Sequence, residues 1–96
     1  MKPSSVNELE FYFRKEKIFD LLEIDKIGVF GSFARNEAFN DIDLIIEDNV
    51  KTEAIIYLSE KLKNDIQTPV DIILSKYVEP IILHRAKQDM KYATRE

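Results

Sequence analysis

The sequence predicts an α/β (α+β) fold in which a small mixed β-sheet of three to four strands is flanked by helices. Three short apolar runs have the composition of buried strands, and segments with helical periodicity separate them. Strands this apolar are covered by helices on at least one face. Because 96 residues fit one domain, we expect a single domain over residues 1–96.

The first half of the chain predicts a helix, a strand and a short helix. Ser5-Val6-Asn7-Glu8 matches a capping box, in which serine and glutamate satisfy free backbone N–H groups at a helix start. Apolar residues then recur at helical spacing and predict a helix over Val6–Leu22. The run Lys26–Gly31 predicts a buried strand that ends at a glycine, and Ser32–Glu37 predicts a short helix.

The second half repeats this alternation. Asp43–Glu47 predicts a strand, and Thr52 can cap a helix whose apolar stripe consists of Ala54, Leu58, Leu62 and Ile66. Pro69 can open the strand Val70–Leu74, since the first strand position tolerates a missing donor. Val78–Tyr92 predicts a last helix, which gives the order α-β-α-β-α-β-α.

Composition excludes several classes of protein. The net charge is −4 and no dense basic run is present, so we expect no general nucleic-acid binding. There is no cysteine, which excludes disulfides and thiolate metal sites. The N-terminal residues lack the apolar segment of a signal peptide, and no apolar run reaches the length of a membrane span. We therefore expect a cytoplasmic protein without a membrane segment.

Gly31-Ser32 is the first of three features that indicate chemistry. A glycine at a strand end lets a phosphate approach the backbone without a side chain in the way. The free N–H groups of a following helix and the Ser32 hydroxyl would be its donors. An ordinary turn with a helix N-cap has the same pattern, so this pair alone does not identify a triphosphate site.

Asp41 and Asp43 flank Ile42 at the start of a predicted strand, so the two carboxylates share one face and Ile42 points to the other. Like charges this close raise each other's pKa unless a cation lies between them. Carboxylate oxygens with no histidine or cysteine nearby favour Mg²⁺ or Mn²⁺ over zinc. The alternative interpretation is a solvated strand edge.

Asp71 interrupts an apolar strand, where an unpaired buried carboxylate would be costly. If this strand lies beside that of Asp43, Asp71 completes a carboxylate triad that can hold two metal ions about 3.5–4 Å apart. Asp71 would then also be placed to accept the proton of an attacking hydroxyl. A surface acid on a half-exposed strand is the alternative.

Gly31-Ser32-Phe33-Ala34-Arg35, followed by Asp41-Ile42-Asp43-Leu44, resembles the Gly-Ser-x-Ala-Arg-Gly … Ser-Asp-Ile-Asp-Leu signature of the polymerase-beta-like nucleotidyltransferases. The short chain is similar to the minimal nucleotidyltransferase (MNT) group, and Asp71 lies where that family has its third carboxylate. The resemblance implies ATP as nucleotide donor and Mg²⁺ or Mn²⁺ as cofactor. It implies Asp41, Asp43 and Asp71 as metal ligands and catalytic residues, with Gly31 and Ser32 at the triphosphate.

The resemblance also implies a partner. MNT proteins typically act as antitoxins beside a helical HEPN partner with ribonuclease activity, which they silence by transferring AMP to a side chain, in the best-supported cases a tyrosine. We therefore expect AMP transfer to a hydroxyl of a HEPN-type toxin. Two alternatives remain open: a small-molecule acceptor such as an aminoglycoside, and a non-catalytic antitoxin that neutralises its partner by occlusion.

The loop after the Gly-Ser segment departs from the family pattern. Asn36 replaces the usual glycine and Asn40 the usual serine, and the loop between Arg35 and Asp41 is shorter. Asparagine tolerates the left-handed backbone conformation, so the first change is compatible with the same turn. Arg35 is a candidate nucleotide-binding residue that contacts a phosphate, or else a helix-surface charge that holds the loop.

Overall fold

A computed structural model describes residues 1–96 and contains five α-helices and four strands. The helices are α1 (Val6–Lys15), α2 (Ile18–Leu22), α3 (Gly31–Ala34), α4 (Thr52–Asp65) and α5 (Pro80–Asp89). The strands are β1 (Lys26–Phe30), β2 (Ile42–Ile46), β3 (Val70–Leu74) and β4 (Lys91–Thr94). A short 3-10 helix, Ser75–Tyr77, follows β3. No helix combines the length and the apolar character needed to cross a membrane.

The four strands form one mixed sheet in the order β3-β2-β1-β4. β1 is antiparallel to both β2 and β4, whereas β2 and β3 are parallel. The parallel pair is joined by the crossover helix α4, as parallel neighbours require. The predicted mixed sheet flanked by helices is therefore confirmed.

The hydrophobic core lies on one face of this sheet, beneath α1, α2 and α4. Alternate residues of each central strand point into it, in agreement with the two-residue period of a strand. Its fully buried members include Phe13, Ile18, Ile27, Val29, Ile42, Leu44, Leu58 and Leu62.

The predicted helix Val6–Leu22 is divided into α1 and α2 by Lys17, whose φ of 57° is left-handed. The predicted apolar positions on both sides of the break are nevertheless buried. In a continuous helix, Phe13 and Phe19 would point in different directions because six positions do not make whole turns. The break lets their rings meet edge to face, with centroids 6.0 Å apart.

The predicted last helix Val78–Tyr92 ends at Asp89, because Lys91–Thr94 forms β4 on the free edge of β1. This pairing buries Ala93 completely. The gain from backbone pairing and burial therefore overrides a sequence whose spacing also suits a helix.

Two predicted helix starts differ in detail. Lys51, which makes no side-chain cap, precedes α4, so Thr52 is the first helical residue rather than the cap. Ser5 does cap α1 by accepting a hydrogen bond from the Glu8 N–H at 3.2 Å. The Glu8 carboxylate, however, accepts from the Ser4 N–H and hydroxyl.

Candidate active site

The three sequence features converge where β1 ends and where β2 and β3 begin. The antiparallel register pairs Phe30 with Asp43, and the parallel register pairs Asp43 with Asp71. Residues in register on neighbouring strands project to the same face of a sheet. The topology therefore sets Asp43 between the end of β1 and Asp71.

The predicted carboxylates of Asp41, Asp43 and Asp71 are brought together, with one oxygen from each within 4.8 Å of the others. Asp41 and Asp43 are half-buried and Asp71 is exposed on the edge strand. Ile42, between the first two, is completely buried on the opposite face. The alternation expected from the sequence is thus the observed one.

The negative charges of this cluster are not compensated by basic side chains of the chain. Burial, followed by the charges of Asp41 and Asp71, raises the pKa of Asp43 above its ordinary value. None of the three carboxylates forms an ion pair with a lysine or arginine of this chain. Three hard oxygen donors with uncompensated charge fit Mg²⁺ or Mn²⁺, so the donor set agrees with a metal site.

Gly31 lies against this cluster and begins α3, one residue earlier than the sequence predicted. Its φ is +76°, a conformation that favours glycine. A Cβ at this position would come within 2.5 Å of the Asp43 Oδ2 atom. Glycine is therefore needed to let the backbone approach Asp43. Ser32, the next residue, is half-buried.

Arg35 does not join the carboxylates. Its Nη1 donates to Asp89 Oδ2 at 2.7 Å, and its Nε is 3.1 Å from Glu37 Oε1. These two partners raise the pKa of Arg35, the hydrogen bond to Asp89 contributing most. Asp89 was not singled out by the sequence, because an acid in the last turn of a predicted surface helix carries no signal of a distant arginine.

The shortened loop is ordered by local contacts. Asn36 takes up a left-handed conformation with φ 60°, the conformation expected of an asparagine that replaces glycine. Phe39 packs edge to face on Phe33 of α3, with ring centroids 4.7 Å apart. These contacts hold the loop that leads from α3 to Asp41.

The carboxylate cluster lies at the margin of the sheet and is partly exposed, a position that we call the open shelf. An open cavity of about 590 Å³ lies between α4 and β3, but Val70 and Ile72 line it, and these residues alternate with Asp71 along the strand. Another, of about 640 Å³, lies between α1 and α4. Neither cavity is lined by a member of the triad, whose accessible part is the exposed Asp71.

This fold, with three carboxylates that could hold a metal ion beside a strand-end glycine, is that of a small nucleotidyltransferase-like domain. The sequence model of the family described as "Polymerase beta, Nucleotidyltransferase" matches residues 7–92. The chain belongs to this family, as its signature residues suggested. Comparison with curated proteins gave no match.

Solved structures with the same fold come from toxin–antitoxin complexes. A chain of a toxin–antitoxin complex with AMP-PNP is 21% identical, with a TM-score of 0.62 over 91% of this chain and 72% of that chain. A chain of a MntA–HpeT variant complex is 22% identical, with a TM-score of 0.60 over 81% of this chain and 69% of that chain. A chain of the complex of tri-AMPylated Shewanella oneidensis HEPN toxin with MNT antitoxin is 21% identical, with a TM-score of 0.54 over 85% of this chain and 70% of that chain. At these identities the likeness establishes the fold.

Proposed function

We propose that this protein is a metal-dependent nucleotidyltransferase that transfers AMP from ATP to a hydroxyl of a partner protein, as the antitoxin of a HEPN/MNT toxin–antitoxin pair. The observation that carries the catalytic part is the cluster of Asp41, Asp43 and Asp71 beside Gly31, in a chain of the polymerase-beta nucleotidyltransferase family. Paired acids on neighbouring strands and a glycine that admits them are the parts this reaction requires.

Each residue has a role that follows from its position. Asp41 and Asp43, half-buried and fixed by the start of β2, would hold the metal together with Asp71. Bound Mg²⁺ supplies charge neutralisation for the triphosphate and Lewis-acid activation. The Gly31 N–H and the Ser32 hydroxyl would donate to phosphate oxygens.

Asp71 is the candidate general base because it is the exposed member of the triad, on the side from which an acceptor can approach. The acceptor oxygen attacks the α-phosphorus and forms the new phosphoester bond. The bond between the α-phosphorus and its bridging oxygen breaks and pyrophosphate leaves. Asp71 takes the proton of the acceptor hydroxyl.

A macromolecular acceptor is favoured by the open shelf and by exposed apolar side chains. Tyr77, Ile81 and Ile82, which follow β3, are 77%, 59% and 48% exposed. Clustered exposed apolar residues indicate protein contact surfaces. The solved complexes of similar fold, one with AMP-PNP and one with an AMPylated HEPN toxin, support the same choice of donor and acceptor for this chain.

The proposal is tested by incubating the protein with α-labelled ATP, Mg²⁺ and the purified product of the adjacent gene. We expect label on that protein, and its loss in Asp41→Asn and Asp43→Asn. Asp48→Asn, which removes an exposed acid just beyond β2, is the matched control and keeps the activity.

The same variants separate the alternatives. If Asp43→Asn still inhibits the partner fully, occlusion rather than transfer is the function. If label appears on an aminoglycoside and on no protein, the acceptor is a small molecule. Absence of label from every acceptor would refute the transferase.

A further inference from the structure

An ion pair joins α3, which contains the Gly31-Ser32 segment, to α5. Arg35 directly follows α3, and Asp89 is the last residue of α5. Their side chains are 39% and 34% exposed, and the Nη1–Oδ2 distance is 2.7 Å. The two residues are 54 positions apart in sequence, so the contact is a product of the tertiary fold.

α3 needs such support because four residues form a single turn, which has little stability of its own. On its inner side, Phe33 and Ala34 are buried in the core. On its outer side, the contact with a different helix comes from Arg35 through Asp89. The orientation of the turn therefore depends on contacts at both sides.

α5 contacts the rest of the protein near the end where Asp89 lies. Ala86, one turn earlier, is 5% exposed. Met90, the next residue, packs over β1, since a Cβ on Gly28 would lie 2.8 Å from its Sδ atom. Asp89 lies between the buried Ala86 and the half-buried Met90, so its carboxylate has a defined place from which to hold Arg35.

Arg35 also organises the loop that leads to the carboxylates. Its Nε is 3.1 Å from Glu37 Oε1, and the Glu37 N–H donates to the Ser32 carbonyl at 3.1 Å. The Arg35 N–H donates to the Gly31 carbonyl at 3.2 Å. Arg35 is therefore connected, through two short paths, to both residues of the candidate triphosphate turn.

We propose that Asp89 is a positioning residue for nucleotide binding, which holds Arg35 and so fixes the Gly31-Ser32 turn beside Asp43. The inference rests on the proposed function only in that this turn binds the triphosphate. It assigns Arg35 to holding the turn rather than to contacting a phosphate. Because an exposed ion pair contributes little to stability, loss of the pair affects nucleotide binding more than folding.

The test measures binding of a non-hydrolysable ATP analogue with Mg²⁺ by calorimetry, so that no acceptor is needed. We expect Asp89→Asn to weaken binding about three- to fivefold, because the loss cannot exceed what an exposed ion pair contributes to holding the turn, while the melting temperature stays near that of the parent. The charge-reversed pair Arg35→Asp with Asp89→Arg should restore binding that Arg35→Asp alone loses. Asp20→Asn is the matched control, since Asp20 pairs with Arg95 at 3.0 Å away from the turn.

The outcomes are distinct. Wild-type binding in Asp89→Asn would overturn the inference. Failure of the charge-reversed pair to restore binding, in a variant that melts like the parent, would also overturn it and would assign Arg35 to a phosphate. If the unmodified protein does not bind the analogue with Mg²⁺, the proposed function fails first. If it binds the analogue but transfers nothing, the proposed function fails while the positioning role can still be measured.

Discussion

The two sides of β2 show how one strand serves two purposes. Ile42, Leu44 and Ile46 point into the core and are at most 1% exposed. Between them, Ile45 is buried against the α5 side, where a Cβ on Gly28 would meet both it and Met90. Asp43, two residues before Ile45 on the same side, is only half-buried and faces Asp71. The second side is therefore apolar around Ile45, where α5 covers it, and acidic around Asp43 at the start of β2, which we call the acidic end.

This difference separates the source of stability from the source of chemistry. The core side, which α1, α2 and α4 cover, gains free energy of folding from close packing. The acidic end loses free energy, because burial and two neighbouring charges disfavour ionised Asp43. Natural proteins commonly keep such destabilised groups at functional sites and compensate for them elsewhere. Removing a buried core side chain should therefore lower the free energy of unfolding, whereas neutralising Asp43 should raise it.

The largest effect on folding is expected on the core side. Phe13 is completely buried, so Phe13→Ala should lower the free energy of unfolding by about 3–5 kcal/mol. The matched control is Phe11→Ala on the same helix, where the ring is 67% exposed and the change should be within about 0.5 kcal/mol. Urea unfolding followed by circular dichroism measures both. Equal losses would show that burial in the core is not the source of the stability.

The acidic end should show the reverse relation. Asp43→Asn should reduce AMP transfer on the order of 10²–10³-fold, as expected when a preorganised charge is lost. In EDTA the same variant should melt at a higher temperature than the parent, because it removes one of three repelling charges. Addition of Mg²⁺ should then raise the melting temperature of the parent more than that of the variant. A lower melting temperature in EDTA would show that Asp43 stabilises the fold.

Part of the acidic end was predictable from sequence because local rules decide it. The two-residue period of a strand puts Asp41 and Asp43 together, and the apolar run around Asp71 predicts a strand. That this strand lies beside β2 was only a condition in the sequence argument, and the parallel pairing of β2 with β3 fulfils it. The division of the first helix was not predictable, because a left-handed lysine at position 17 has no sequence signature. The strand β4 was missed because its residues continue a helical pattern, and only pairing with β1 selects the extended form.

Glycines at two points of the second side offer a finer comparison. At Gly31, alanine has the wrong φ, costing about 1–2 kcal/mol, and its Cβ collides with Asp43 Oδ2. At Gly28, the collision is with the side chains of Ile45 and Met90, at 2.5 and 2.8 Å, and should cost about 1–3 kcal/mol. Both variants should melt earlier, but Gly31→Ala alone should abolish binding of Mg²⁺ and nucleotide by the folded protein. Titration by calorimetry below the melting temperature distinguishes them.

The smallest effect is expected at the far end of the second side, where the Tyr92 hydroxyl of β4 donates to Glu47 beyond β2. This bond is the main cause that raises the pKa of Tyr92 to about 12 and lowers that of Glu47. The raised tyrosine pKa means that the bond stabilises the fold fully below pH 10 and ceases to do so as the pH rises to about 12. The lowered glutamate pKa means that the stabilisation is also lost as the pH falls from 4.5 through the folded value.

Tyr92→Phe should therefore lower the free energy of unfolding by about 0.5–1 kcal/mol at neutral pH, the low end for a hydrogen bond because both groups lie near the surface. The difference from the parent should shrink at both pH limits, which denaturant titrations across the range can measure. Tyr77→Phe, at a ring that is 77% exposed, should follow the parent at every pH. A difference for Tyr92→Phe that stays constant with pH would assign the effect to packing of the ring, over which Lys26 lies at 4.4 Å, and not to the bond across the sheet.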